Sequence, residues 1–111
     1  MAMFLVVIRG STKGREFLLE EGENLIGRWD PDNGSFPEID LESEDLEVKV
    51  SRKHAVVVCD RGVAQLEDIG SRNGTYVNRG AKLTVGERVL LNDGDEIVVG
   101  KTMLRYEVRA D

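Results

Sequence analysis

The chain has 111 residues, enough for one hydrophobic core and too few for two, so a single domain spanning 1–111 is expected. Its composition, 41% hydrophobic and 32% charged, is that of a folded protein, and a formal net charge of −6 disfavours nucleic acids and anionic membranes as partners. A single cysteine, Cys59, allows no internal disulfide or multi-cysteine metal site, and no apolar run approaches the ~18 residues of a membrane span, so a reducing, cytoplasmic setting is expected.

Strand signals follow one another along the chain. Phe4 to Ile8 is rich in β-branched residues, with the first strand beginning about Met3, and Asn24 to Ile26 gives another that ends at Gly27-Arg28. From Trp29 to Val50 the periodicity lapses. Both prolines, Pro31 and Pro37, and the Asn33-Gly34 pair lie here, and negative charge gathers at Glu38, Asp40, Glu42, Glu44, Asp45 and Glu47. This stretch, residues 29–50, reads as a long, solvated acidic loop in which Ile39 and Leu41 make one short strand, and loops of that length are usually functional or mobile.

Ala55 to Cys59 is the next strand, with Cys59 as packing, and Tyr76-Val77 follows. Leu83, Val85, Val89 and Leu91 alternate around Gly86, and Ile97 to Val99 forms a further run. Leu104, Tyr106 and Val108 alternate with Arg105, Glu107 and Arg109, the pattern of a strand with one face buried. Turn signals at Gly14, Gly22, Arg61-Gly62, Asn73-Gly74, Gly80, Asp93-Gly94 and Gly100 separate these runs about every ten residues. Without a helical pattern between them, the fold class is all-β, an antiparallel sandwich or barrel.

Four loop motifs carry chemistry: Gly27-Arg28, Ser51-Arg52-Lys53-His54, Ser71-Arg72-Asn73-Gly74-Thr75 and Asn92-Asp93-Gly94-Asp95-Glu96-Ile97. Singly, each has a structural explanation: a solvated arginine, a hydrogen-bonded histidine at His54, hairpin turns at Asn73-Gly74 and Asp93-Gly94. Together, the guanidinium groups of Arg28, Arg52 and Arg72, the Ser51 hydroxyl and the Asn73 amide stand at strand ends of an acidic protein. A phosphate group needs that mixture, planar donor forks for its charged oxygens and short neutral donors that orient it.

The order Gly27-Arg28, Ser51-Arg52-Lys53-His54-Ala55, Gly70-Ser71-Arg72-Asn73-Gly74-Thr75-Tyr76-Val77-Asn78, Gly94-Asp95-Glu96-Ile97 resembles the forkhead-associated (FHA) domain family over essentially the whole chain. The resemblance implies an eleven-stranded antiparallel β-sandwich of the SMAD/FHA type. Its loops at one end would bind a phosphothreonine peptide of a partner protein, which implies a serine/threonine kinase upstream. By the same resemblance Arg28 and Ser51 bind the phosphate, Arg52 adds a contact, Arg72 faces the phosphothreonine, and Asn73 holds the peptide backbone. Gly27, His54 and Gly74 shape the loops.

The gap from Arg28 to Ser51 is longer than the family pattern. The excess, about Trp29 to Pro37, is free to rest on the sandwich, reach toward the peptide, or hold a second partner. Lys49 is a candidate for reading the third residue after the phosphothreonine, and Trp29, next to Arg28, is expected to report on the site by its fluorescence.

The inventory argues against an enzyme: one histidine, one cysteine inside a strand, and neither a nucleophile elbow nor a glycine-rich loop ending in Lys-Ser or Lys-Thr. No catalytic residue, cofactor or metal is assigned; Asp30, Asp32 and Asn33 lack the spacing and distal glutamate of a calcium loop. The competing reading is a phosphate-independent interaction or self-association module that uses the same sandwich and the 29–50 loop. A first strand starting near Met3 leaves no threonine-bearing tail ahead of it, so the phosphorylated partner is expected to be another protein.

Overall fold

In the computed structural model, which describes residues 1–110, the β-branched runs become ten strands. They form two five-stranded sheets. One runs β2 (Glu16–Leu18), β1 (Ala2–Arg9), β10 (Thr102–Arg109), β9 (Glu96–Val99), β7 (Thr75–Val77). The other runs β4 (Ile39–Asp40), β3 (Gly22–Gly27), β5 (Lys53–Asp60), β6 (Val63–Asp68), β8 (Arg88–Leu90). Strand pairs are antiparallel except β3 and β4, which run parallel.

Alternation decides which side chains meet between the sheets. Met3, Leu5 and Val7 of β1 and Leu104 and Tyr106 of β10 share one apolar core with Ile26 of β3, Ala55, Val57 and Cys59 of β5 and Leu66 of β6. Asn24, also fully buried, is the polar exception on β3. Its side-chain oxygen accepts the Glu20 amide at 2.9 Å, and its NH2 group donates to the carbonyls of Glu20 at 2.9 Å and Val57 at 3.1 Å, which ties the turn before β3 to β5. Among the described residues no buried side-chain polar atom lacks a partner, as a low-dielectric interior requires.

The sandwich has ten strands where eleven were expected. After β7 the chain turns through Asn78 and Arg79, both at positive φ, and the segment beyond the turn meets Tyr76 only in an isolated bridge at Lys82. Of the alternation from Leu83 to Leu91, only Arg88–Leu90 pairs as a strand.

Segment 29–50 differs most from a solvated loop. Pro31–Asn33 is a 3-10 turn closed by Gly34 at φ 70°, and a bridge between Asp30 and Ser35 makes residues 29–36 a short ribbon. Ile39 and Leu41 are fully buried. Glu44 and Asp45 are buried as well: Glu44 accepts the Thr12 amide at 2.7 Å and lies 3.5 Å from the Arg15 guanidinium. These carboxylates satisfy main-chain donors that would otherwise be orphaned, so their burial is compensated.

Because β3 and β6 both run antiparallel to β5, the end of β3, the start of β5 and the end of β6 fall at the same end of their sheet. Three of the four loop motifs therefore converge, although the sequence scatters them.

Candidate functional site

The site is framed first by main-chain contacts. A Cβ on Gly27 would lie 1.8 Å from the Arg52 carbonyl oxygen, and the pairing register slips between Ile26 and Gly27 to allow that approach. Only glycine leaves room for it. The same carbonyl accepts the Arg28 amide at 3.0 Å and the Ser35 hydroxyl at 2.8 Å.

The Arg28 side chain is held by its inner edge. Its Nε donates to the Val50 carbonyl at 2.5 Å and stands 3.9 Å from Oδ2 of Asp45. Asp45, whose side chain is 1% exposed, accepts the Lys49 and Val50 amides, each at 2.8 Å. That double acceptance curls residues 45–50 into a tight loop and holds Val48 at φ 54°, a left-handed conformation that is costly for a β-branched residue. Asp45 thus fixes the carbonyl that fixes Arg28.

His54 does the same for the serine loop. Fully buried, it accepts the Ser51 amide on Nδ1 at 3.0 Å, so its proton sits on Nε2 and is donated to the Gly74 carbonyl at 2.8 Å. Burial pushes its pKa below the ordinary histidine value, against the opposing pull of the Gly74 bond and of Asp68 and Asp45.

Asp68, at the end of β6, organises the next loop by accepting the amides of Gly70 at 2.8 Å and Ser71 at 2.9 Å and the hydroxyls of Ser71 at 2.5 Å and Thr75 at 2.7 Å. Burial alone would raise its pKa, but these bonds outweigh it and hold the carboxyl below its usual range. Ser71 accepts in turn from the Gly74 amide at 2.9 Å, and Gly74 adopts φ +86°. The loop so formed points the Arg72 amide at Ser51 Oγ, 2.9 Å away, and the Asn73 NH2 group at the Lys49 carbonyl, 2.8 Å away.

These contacts gather Arg28, Lys49, Ser51, Arg52, Arg72 and Asn73 around one open depression of about 310 Å3, with Val48 and Val50 completing its wall. Gly27, His54 and Gly74 stand behind it and shape it. Arg52 borders the depression while its Nε bonds Oδ2 of Asp30 at 2.5 Å. A smaller hollow of about 270 Å3 adjoins it, walled by Lys49, Asn73, Gly100 and Lys101. A larger one, about 600 Å3, sets Arg9 and Lys101 against Glu44, Asp45 and Glu47. Three carboxylates there outnumber two cations, whereas no carboxylate lines the 310 Å3 depression, whose cations make it the candidate anion site.

Trp29 does not line the depression. Its ring packs edge-on against Phe36 at 5.3 Å, so its fluorescence senses the ribbon first. Sequence alone assigned Asp68 no role, and placed Asp30 only in a rejected calcium loop, Asp45 in an acidic run and Ser71 in a loop motif, without the framing contacts found here. The spacing Asp68-x-x-Ser71 before Asn73-Gly74 is the available signal for Asp68 and Ser71, since a side-chain carboxylate readily accepts from amides two and three residues on.

The FHA domain family model matches residues 24–100, which contain the whole frame from Gly27 to Gly74. The glycogen accumulation regulator GarA of Mycolicibacterium smegmatis is 42% identical over 102 residues, covering 92% of this chain and 56% of that protein. The oxoglutarate dehydrogenase inhibitor of Corynebacterium efficiens is 40% identical over 102 residues, covering 92% of this chain and 63% of its own length. The chain therefore spans 56% to 63% of these two relatives. A solved structure described as an analysis of phosphothreonine-dependent FHA domain interactions superposes with a TM-score of 0.78 at 32% identity, covering 99% of both chains. With its glycine-arginine, serine-histidine and asparagine-glycine loops joined at one end of a ten-stranded sandwich, the chain belongs to the FHA domain family.

Proposed function

We propose that this chain is a phosphothreonine-dependent protein-interaction module that binds a phosphorylated segment of a partner protein in serine/threonine kinase signalling, and that it catalyses no reaction. We read it as one domain, 1–111, with residues 29–50 as an insertion. The observation that carries the reading is the convergence of Arg28, Ser51, Arg52, Arg72 and Asn73 on one depression whose cations face no carboxylate across it. Arg28 and Ser51 are assigned to the phosphate, Arg52 and Arg72 to additional contacts, Asn73 to the peptide backbone and Lys49 to a neighbouring peptide residue.

Physical chemistry supports the assignment. A phosphothreonine carries about −1.5 to −2 charges at neutral pH, and the net charge of −6 makes a local cationic hollow selective for such a group over an extended anion such as nucleic acid. Charge-assisted bonds of this kind are worth about 1.5–3 kcal/mol each, against about −8 kcal/mol for a micromolar complex. Losing Arg28 or Ser51, the two residues assigned to the phosphate, therefore decides whether binding is detected. No cofactor is needed for this role. Among the described residues no helix is long and apolar enough to cross a membrane, and the assigned setting is cytoplasmic.

The test is a fluorescence-anisotropy titration with labelled phosphothreonine, phosphoserine and unphosphorylated peptide pools, repeated with Arg28→Ala. Saturable binding of the phosphothreonine pool, abolished by Arg28→Ala and weakened with phosphoserine, is expected; equal binding of the unphosphorylated pool would refute the reading. The threonine methyl accounts for about 1–3 kcal/mol of that preference if it enters a fitted cavity.

One observation favours a second reading, a phosphate-independent interaction or self-association surface. Trp29 and Phe36 are 47% and 54% exposed on the braced ribbon. Partner binding that survives Arg28→Ala and is lost in Trp29→Ala would select it.

A further inference from the structure

The insertion does not leave the phosphate site; it grips it. Asp30 and Ser35, paired across the ribbon, both reach Arg52: Ser35 Oγ donates to the Arg52 carbonyl at 2.8 Å, and Asp30 Oδ2 accepts from Arg52 Nε at 2.5 Å. Ser35 is fully buried, so the ribbon is seated on the main chain of residue 52. Asn33 Nδ2 donates to the same Asp30 oxygen at 2.8 Å and steadies the carboxylate from behind. Arg28 is held in a matching way, by Nε on the Val50 carbonyl.

In both arginines the protein occupies the inner nitrogen. Among the described residues, no protein hydrogen bond is made by the two terminal NH2 groups of either one, and both side chains line the same depression. An arginine half exposed at 54% would otherwise sample many rotamers, and ordering it on binding would oppose affinity.

We infer that Asp30 is a positioning residue for the phosphate site: by accepting the Arg52 Nε proton it sets the guanidinium in place and leaves its terminal nitrogens for the phosphorylated ligand. This rests on the phosphothreonine reading and adds the insertion to it. Asp30 exerts two opposed effects, since its charge repels an incoming phosphate while its oxygen orders Arg52. An amide at the same position separates them, because it keeps an acceptor oxygen and removes the charge.

The experiment compares Asp30→Ala with Asp30→Asn in the full chain, each alone and combined with Arg52→Ala, titrating a phosphothreonine peptide pool by anisotropy and recording thermal unfolding of each variant. Asp30→Ala is expected to bind about two- to fivefold more weakly than Asp30→Asn, the range of an exposed ion-pair geometry, and the two should become equal once Arg52 is Ala. In parallel, the Arg52 Nε–H resonance should be protected from exchange in the wild type and Asp30→Asn and lost in Asp30→Ala. Equal affinities of the two Asp30 variants beside intact wild-type binding, or a difference that persists without Arg52, would overturn the inference alone. Absence of wild-type phosphopeptide binding would remove the functional reading and this inference with it.

Discussion

His54 accepts the Ser51 amide proton on Nδ1 at 3.0 Å, so the serine at the proposed phosphate site is held by a histidine that never touches the depression. The bond requires a neutral ring, and protonation of Nδ1 would set two N–H groups against each other.

That requirement predicts a pH dependence of stability. Burial lowers the folded-state pKa of His54 below its ordinary 6.5. Above 6.5 both folded and unfolded states hold it neutral and its contribution is complete. As pH falls below 6.5 the unfolded chain takes up a proton that the folded state resists, and stability declines. The melting temperature of the free protein should drop between pH 7 and 5, and His54→Gln should be less stable at pH 7 yet flatter across that window. His54 is the only histidine, so no other imidazole confuses the reading.

Asp68 titrates elsewhere and tests a different frame contact. Its folded pKa lies below the usual 3.8, so its contribution is present above that value and lost as pH falls further, outside the histidine window. Asp68→Ala leaves the donors of Gly70, Ser71 and Thr75 without their acceptor. A loss of about 2–4 kcal/mol in urea unfolding is expected, with Asp68→Asn intermediate.

Gly27→Ala should be among the most damaging small substitutions, because its methyl group would overlap the Arg52 carbonyl at 1.8 Å and backbone, not a flexible side chain, would have to give way. We expect a destabilisation of at least about 2 kcal/mol, with loss of phosphopeptide binding in whatever fraction still folds. Chemical denaturation combined with anisotropy separates the two effects.

Arg28→Lys keeps the charge but not the geometry. A lysine has no Nε–H edge to set on the Val50 carbonyl while offering a planar fork to phosphate. Phosphothreonine affinity should fall by about tenfold or more, near 1.4 kcal/mol, with thermal stability little changed. Affinity equal to wild type would show that charge alone suffices at this position.

Much of the fold and site could be read from residues whose identity fixes a local backbone. Asn73-Gly74 is such a position, the strand alternation from Leu104 to Val108 located β10, and the loop-shaping places of Gly27 and His54 followed from the family resemblance of their motifs. Segment 29–50 resisted because its order comes from acids that accept main-chain amides. Asp45 reaches the Lys49 and Val50 amides, and no periodic pattern marks such a bond. Charge composition made Glu44 and Asp45 look solvated, while their partners, Thr12 and residues 49–50, became visible only in three dimensions. An eleventh strand failed where the positive-φ pair Asn78-Arg79 leaves only one bridge, between Tyr76 and Lys82.

Arg72 meets Ser51 through its main-chain N–H, not its side chain. Any residue except proline can supply that donor, so the scaffold is indifferent to what projects from position 72. Under the proposed function, a single codon change there would recast which ligands are favoured while the architecture that presents them is inherited intact.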